Sequence, residues 1–293
     1  MRCWLLTALV LLAGGTTLAP QCALADFRHA RMGARPKALG SAFVSLVDDA
    51  NAVYWNPAGL ARIDRSSLML TRAWLYSVPE IYNDYVCMTL PGWRGLHFGW
   101  SWVRLGVDDT YSENTLNLAA AVRLPWLDGL AAGVAGKLFR LEAPGYEQYN
   151  DPAYNGGDHD FSCDLGLHYD SGGAWTLGAV VYNLTSPELQ LVSTTSDPDP
   201  VYTEYAVGGS YLFRDTLLLT VDLRDREGEW DNTVLHGGAE IWFFNALALR
   251  SGLDQGLVTI GIGLQDVHWE ADFALETNRD LGNVYMLSFT VRK

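Results

Sequence analysis

The sequence is poor in basic residues and, beyond its first 25 residues, has no long run of apolar side chains. Its 293 residues include 20 Lys and Arg against 34 Asp and Glu, a formal net charge of −14. Nucleic-acid binding proteins normally carry a basic surface, so we exclude DNA and RNA as partners. The lack of a long apolar run excludes a protein that crosses a membrane with helices. With 49% hydrophobic residues, a disordered chain is excluded as well.

Cysteine and histidine motifs that hold metals or carry out catalysis are also missing. The sequence has no CxxC pair and no Cys/His cluster, so we predict neither a metal site nor a cofactor. The histidines are scattered, with His159 between Asp158 and Asp160 as the one local cluster, and there is no GxSxG motif. We therefore predict that the protein is not an enzyme. Cys87 and Cys163 could form a disulfide in an exported protein, but two unpaired cysteines on strands are favoured.

The N-terminus has the pattern of a secretory signal peptide. Arg2 gives a basic start, the apolar stretch WLLTALVLL follows over residues 4–12, and Ala23 and Ala25 occupy the small-residue positions of a cleavage site. We expect residues 1–25 to be a signal peptide that is removed after Ala25, which places the mature protein outside the cytoplasm.

The remainder, residues 65–293, is predicted to be all-β. Segments close to the length of a tilted membrane-spanning strand are separated by Gly, Pro, Asn or Asp. The connections alternate between long and short, as they do in outer-membrane barrels, which have short periplasmic turns and long outer loops. We predict about fourteen strands, at 65–76, 82–90, 94–105, 115–124, 129–141, 159–169, 173–183, 201–213, 216–224, 234–244, 247–253, 257–264, 268–276 and 283–291.

Alternation within these strands separates an apolar face from a polar one. In 216–224, for example, Leu217, Leu219 and Val221 alternate with Thr220 and Asp222. A water-soluble barrel would turn the apolar face inward, and alternation alone does not separate the two cases. The signal peptide, the loop pattern and the aromatic residues near strand ends favour a closed antiparallel transmembrane β-barrel. The candidate polar residues of its lumen are Arg123, Lys137, Asp222, Glu240, Arg250, Glu270 and Asp272.

The aromatic residues form candidate belts at the two membrane boundaries. This interpretation covers Trp74, Tyr76, Trp93, Trp102, Trp126, Trp175, Tyr182, Tyr202, Tyr211, Phe213, Trp242 to Phe244, Trp269 and Tyr285.

Residues 26–64, which we call the hatch segment, do not read as a pair of strands. Ser41 to Val47 is a compact apolar run that needs burial, and the segment is too short to form a core of its own. Asp48 or Asp49 can cap a short helix near Ala50, while Asn56 and Pro57 provide an N-cap and a first helical residue. We expect the segment to pack in the barrel lumen.

The stretch GARPKALGSAFVSLVDDANAVYWNPAGLA resembles the N-terminal signature of the FadL and PorV/PorQ group of outer-membrane proteins. In that group a glycine-rich stretch leads to Asp-Asp-Ala, an aromatic pair and Asn-Pro-Ala-Gly-Leu. The resemblance implies a fourteen-stranded barrel in the bacterial outer membrane, surrounded by outer-membrane lipid, with a small hatch in the lumen. The matching positions are Gly33, Gly40, Asp48, Asp49, Ala50, Tyr54, Trp55, Asn56, Pro57, Ala58, Gly59 and Leu60.

Two functions are compatible with this resemblance. The first is passive passage of a hydrophobic small molecule, with a shift of the hatch segment opening a lateral exit through the wall; lumen charges would then hold the hatch by ion pairs. The second is a PorV-like role as a partner of a secreted or secretion-system protein in type IX secretion. In that case the loops 142–158 and 184–200 would form the contact surface, and their acidic residues could instead bind divalent cations. These residues are Glu142, Glu147, Asp151, Asp158, Glu188, Asp197 and Asp199.

Overall fold

The structure is a computed structural model that describes residues 31–107, 110–149, 152–154, 156–192, 198–225 and 233–293. The predicted signal peptide, Asp151 and Asp197 lie outside the described residues. Among the described residues, no helix has both the length and the apolar character needed to span a membrane.

Fourteen strands close into one antiparallel barrel, as predicted. Strands that follow one another in the barrel sequence are neighbours in the wall. The barrel closes where the first strand, β1 (Ser67–Trp74), pairs with the last, β16 (Val284–Arg292), from Ser67 opposite Arg292 to Trp74 opposite Tyr285. A separate pair of two-residue strands, β8 (Glu188–Leu189) and β9 (Asp199–Pro200), lies in the loop after β7. The barrel strands are β1 (Ser67–Trp74), β2 (Ile81–Trp93), β3 (Leu96–Val107), β4 (Tyr111–Arg123), β5 (Leu130–Glu142), β6 (Asp158–Asp170), β7 (Trp175–Tyr182), β10 (Glu204–Phe213), β11 (Leu217–Arg224), β12 (Val234–Phe243), β13 (Leu247–Asp254), β14 (Leu257–Gln265), β15 (Trp269–Glu276) and β16 (Val284–Arg292).

The two rims of the barrel differ in the length of their connections. One rim, the short-turn rim, carries the tight turns, including those at Arg214-Asp215 and Phe244-Asn245, whose residues all have φ between 51° and 55°. Paired positive φ values are typical of two-residue hairpin turns that match strand twist. The opposite rim, the long-loop rim, carries the connections 143–157 and 183–203. The connection 255–256 is a short turn on that rim.

The wall turns its apolar face outward. Leu118, Phe161, Leu165 and Val221 are among the large hydrophobic side chains exposed along mid-strand, whereas the residues that alternate with them are buried and largely polar or small. This is the arrangement of a barrel surrounded by lipid, and a water-soluble barrel would show the reverse. The exposures therefore decide between the two cases that alternation left open.

Aromatic side chains concentrate at the short-turn rim. Trp93, Trp126, Trp175, Phe213 and Phe244 are exposed at strand ends or turns there. On the long-loop rim the exposed aromatics include Trp74, Tyr205 and Tyr285.

Two residues of the predicted belts lie on the inner face instead. Tyr182 is buried in the lumen, and Trp242 lines an internal vestibule. Both residues occupy strand positions whose side chains point inward. The belt prediction used only their closeness to strand ends and not the face to which they point.

The described part of the hatch segment folds into three short turns of helix inside the barrel. These are α1 (Ala34–Ala38), α2 (Ala52–Trp55) and a 3₁₀ helix over Pro57–Arg62. The predicted N-cap is confirmed, since the Asn56 side chain accepts a hydrogen bond from the Ala58 amide and Pro57 follows it. Helix α1 was not predicted. Helix α2 begins at Ala52 with Asn51 as its N-cap and has no side-chain capping hydrogen bond, so the predicted cap at Asp48 or Asp49 is wrong. The Asp49 carboxylate instead accepts a hydrogen bond from the Asn51 amide at 2.8 Å.

Candidate functional site

The hatch segment fills the middle of the lumen, and its apolar side packs against β4 and β5. Trp55, Phe43 and Leu60 are fully or almost fully buried. They belong to one apolar cluster that includes inward-facing alanines of the wall, at positions 119, 121, 131 and 135. Because the inward-facing side chains of the wall are small here, the lumen has room for the bulky side chains of the hatch segment.

Seven glycines in mid-strand let the hatch segment approach the wall closely. A Cβ atom added at any of them would fall closer than 3.0 Å to an atom of the hatch segment, which real Cβ contacts almost never do. Glycine inside a strand often marks such a close approach of another backbone. We call these residues the seat glycines: Gly99, Gly133, Gly166, Gly178, Gly238, Gly252 and Gly261.

On the opposite side, ion pairs connect the hatch segment to β12–β16. Arg35 of α1 bonds to Glu240 on β12 through Nε at 3.0 Å. The same guanidinium contacts Asp48 at 2.6 Å and Asp49 at 3.0 Å. Burial raises the pKa of the Asp49 carboxyl above its ordinary value, and the charge of Arg35 offsets part of this rise. The Asp-Asp pair of the motif thus contacts an arginine of its own segment.

Arg250 extends this network around the wall. Its Nε donates to Glu240 at 2.6 Å and its Nη1 to Asp272 at 2.5 Å. Glu270 is 3.7 Å from Arg250 and also pairs with Arg292. Four of the predicted lumen residues, Glu240, Arg250, Glu270 and Asp272, are therefore in one buried ion network, in which Glu240 also contacts the hatch segment.

Asp254 binds the hatch segment at three points. It accepts from Arg31 at 2.7 Å, from Lys37 at 3.2 Å and from the Ser41 hydroxyl at 2.6 Å. Lys37 also pairs with Glu276 on β15 at 2.5 Å. The sequence interpretation placed Asp254 in the DQG loop and therefore missed it; the structure makes it the last, inward-facing residue of β13. The sequence contained a signal for this position: Asp254 is two and four residues after Gly252 and Arg250, so in an extended strand it points to the same inward face.

Asp222 holds the hatch segment through its backbone. One carboxylate oxygen accepts from the amides of Phe43 and Val44 at 2.6 and 2.8 Å. This residue was predicted to line the lumen, and it contacts the hatch by hydrogen bonds to N–H groups rather than by the ion pairs expected of lumen charges.

Two other predicted lumen residues do not hold the hatch segment by ion pairs within the barrel. Arg123 is the last residue of β4, lies at the short-turn mouth with 64% of its side chain exposed, and is 3.6 Å from the exposed Asp64. Its Nε does donate to the Ala61 carbonyl at 2.9 Å. Lys137 faces the lumen but pairs with Asp164 of the wall at 2.8 Å and bonds to Asn183 at 3.0 Å.

The motif around Asn56 ties the turns of the hatch segment together. The Asn56 amide donates to the Val44 and Leu167 carbonyls, each at 3.0 Å, and the Trp55 indole donates to the Met32 carbonyl at 2.8 Å. Ala50, Pro57, Ala58 and Gly59 of the motif are buried among these contacts. At the other end of the motif, Gly33 and Gly40 have φ of 96° and 65°, which favours glycine at these positions.

We expect Asn56→Ala to lower the thermal stability of the barrel measurably. The substitution removes two hydrogen-bond donors and one N-cap, and leaves the buried Val44 carbonyl without this partner, a loss of about 2 kcal/mol. The measurement is the temperature at which the folded gel band converts to the unfolded one. A midpoint equal to that of the wild type would show that the motif asparagine does not stabilise the hatch segment.

Above the hatch segment a small cavity faces the long-loop rim. Its free volume is about 40 Å³, and it is lined by apolar residues, Val103, Leu105 and Phe139, together with the rings of Tyr54 and Tyr182. Burial raises the pKa of the Tyr54 phenol, which is therefore neutral. The polar lining consists of Glu113, Thr115, Lys137, Asn183, Glu204 and Arg224.

Below the hatch segment a wider vestibule faces the short-turn rim. Its volume is about 480 Å³, and its lining is mostly charged, with Arg35, Asp49, Arg62, Glu270 and Arg292 among its residues. The hatch segment thus separates a small cavity with a mixed apolar and polar lining from a wider vestibule that is mostly charged.

The acidic loops and the His159 cluster form no metal site in the described residues. Among these residues no group of three or more His, Cys, Asp or Glu side chains has metal-binding geometry. Asp158 accepts from the amides of His159 and Gln190, and Asp160 from those of Phe161 and Glu188, so both carboxylates organise loop backbone. Cys87 and Cys163 are unpaired.

Comparison with known proteins establishes the fold. No family model and no curated protein matches the chain. Among solved structures it is similar to the CymD monoaromatic hydrocarbon channel (TM-score 0.59, 13% identity, 89% of this chain and 96% of that one). It is also similar to the Pseudomonas putida toluene transporter TodX (0.58, 12%, 89% and 96%) and to a Pseudomonas aeruginosa FadL homologue (0.56, 12%, 86% and 96%). The chain therefore has the fold of FadL-type outer-membrane barrels, which agrees with the resemblance that the hatch motif suggested.

Proposed function

We propose that this protein is an outer-membrane channel for hydrophobic small molecules and that the hatch segment is its gate. The observation that carries the proposal is a small cavity at the long-loop side of a lumen that the hatch segment fills. Tyr54, Val103, Leu105, Phe139 and Tyr182 form the apolar and aromatic part of its lining. The proteins of similar fold that are described as channels for monoaromatic hydrocarbons or as a toluene transporter support it.

The exposed apolar band of the wall and the fold of outer-membrane barrels support placement in that membrane. By the usual arrangement of such barrels, the long-loop rim would face outward and the short-turn rim would face the periplasm. A ligand would then enter from the long-loop side and meet Tyr54, an element of the hatch segment, at the floor of the cavity.

The gate has to move for a ligand to pass. A free volume of about 40 Å³ is room for roughly three water molecules and is too small for an aromatic ring with substituents. Tyr54 is on α2, so a displacement of the hatch segment would enlarge the cavity. The ion network of β12–β16 would retain one side of the segment while the apolar side against β4 and β5 separates.

Uptake of an apolar dye tests this function. We expect cells that carry the wild-type protein in the outer membrane to take up N-phenyl-1-naphthylamine faster than cells without it. Thr115→Trp should abolish the gain because Thr115 is buried against the cavity and an indole would fill a space of that size.

Leu116→Trp is the matched control. Leu116 is the next residue on β4 and is exposed on the outer wall, where an indole is accommodated by lipid. Dye uptake that is the same with and without the protein, or equal for both tryptophan variants, would refute a channel through this cavity. The PorV-like role as a secretion partner remains a prediction, with no support from the proteins of similar fold.

A further inference from the structure

One row of outward-facing side chains on β1–β6 is polar, although the wall on its short-turn side is apolar. The strand register aligns its members across six adjacent strands. We call this row the basic arc; in order around the wall it consists of Arg72, Asp84, Arg104, Asn114, Arg140 and His159.

The outward row next to the basic arc, toward the short-turn rim, contains no polar group other than an indole. Its members, in the same strand order, are Leu70, Val86, Trp102, Leu116, Leu138 and Phe161. Charged side chains on the lipid face are costly at mid-membrane and tolerated near the boundary. The change from an apolar row to a charged one therefore places Arg104 and Arg140, which are only two strands apart, at the membrane boundary of the long-loop rim.

The cations of the arc differ in how they are paired. Arg72 forms two hydrogen bonds with Asp84, each of 2.7 Å, and is fully engaged. Arg140 pairs with Glu142 at 2.6 Å, with 63% of its side chain exposed, so this pair is weak and exchangeable. Arg104 forms no ion pair with any described residue, and its buried Nε has no hydrogen-bond partner there.

We propose that Arg104 and Arg140 bind phosphate groups of an anionic lipid in the leaflet at the long-loop rim. The two arginines are on β3 and β5, with Asn114 of β4 between them, which sets their Cα atoms roughly 10 Å apart. A guanidinium group can donate two parallel hydrogen bonds to two oxygens of one phosphate. At this position the lipid tails would contact the apolar row and the phosphate groups would contact the two arginines. Because the chain as a whole carries a net charge of −14, attraction of anionic lipid would be confined to the basic arc. The inference relies on the membrane placement in the proposed function and not on passage of small molecules.

The test is native mass spectrometry of the whole mature barrel in detergent, titrated with diphosphoryl lipid A. We expect the wild type to bind this lipid and Arg104→Gln/Arg140→Gln to bind it about thirtyfold more weakly, because each of the two arginines strengthens binding to an anionic surface by roughly fivefold. Inorganic phosphate at the same concentration should not displace the lipid, because its acyl chains contact the apolar row.

Arg94→Gln/Arg214→Gln is the matched control, since it removes the same charge from turns of the short-turn rim. Equal binding by the wild type and the Arg104/Arg140 variant, or an equal loss in the control, would overturn the proposal. Displacement by inorganic phosphate would also overturn it, by showing an anion site that does not require lipid. The heat-dependent gel shift of each variant verifies that the barrel is folded, and dye uptake by the same variants tests the channel separately.

Discussion

Gly133→Val is expected to open the barrel to ions. A Cβ at Gly133 would collide with the Pro57 carbonyl carbon and the Ala58 amide nitrogen of the hatch segment, and these backbone atoms have no rotamer by which to move away. Overpacking of this kind costs about 1–3 kcal/mol or more. The hatch segment can avoid this cost by leaving its seat, so the open population should rise roughly tenfold to a hundredfold.

The measurement is ionic conductance in a planar lipid bilayer. Gly136→Val is the matched control because Gly136 is on the same strand and a Cβ there would have no neighbour within 4 Å. Gly178→Val, which would collide with the Val44 backbone from β7, should reproduce the conductance of Gly133→Val. If all three variants conducted like the wild type, the seat glycines would not determine the position of the hatch segment.

The second large effect is expected at Asp254, the residue that binds Arg31, Lys37 and Ser41. Asp254→Ala leaves two buried cations without this carboxylate, and removing one member of a buried ion pair costs about 3–5 kcal/mol. The hatch segment can recover part of that loss by exposing the cations to water. Trypsin cleavage after Lys37 should therefore accelerate roughly a hundredfold, with cleavage after Arg31 also increasing.

Cleavage after the exposed Arg279 provides an internal reference, since this residue is in the connection between β15 and β16. Asp266→Ala is the matched variant, because Asp266 is exposed in a short turn and the same charge is lost away from the hatch segment. Asp254→Asn keeps the shape and should give an intermediate rate. Unchanged protection of Lys37 in Asp254→Ala would show that the remaining contacts, Asp222 and Glu240 among them, suffice to hold the segment.

The strands and the cap of the 3₁₀ helix were predictable because they depend on local patterns. Alternation with a period of two residues and turns between segments predicted fourteen strands, and the side-chain cap of Asn56 requires only the next two residues. The arginines and the lysine of the hatch segment gave no such signal. Arg31, Arg35 and Lys37 look like solvent-exposed cations in the sequence, and their partners Asp254 and Glu240 are more than 200 residues away.

The role of the mid-strand glycines was also not predictable from local patterns. In sequence they read as interruptions of strands, whereas in the barrel seven of them face atoms of the hatch segment. Arg123 shows the reverse error, since its parity predicts an inward residue but its place at the end of β4 leaves it at the mouth.

By itself, the sequence determined the strand count, the division of each strand into an apolar and a polar face, and the existence of a segment that needs burial, because each follows from residues close together in the chain. Only the tertiary structure decided where that segment lies, which charges neutralise one another and where the cavity and the basic arc form. Barrel closure sets those properties, because register and shear bring into contact residues that are far apart in sequence.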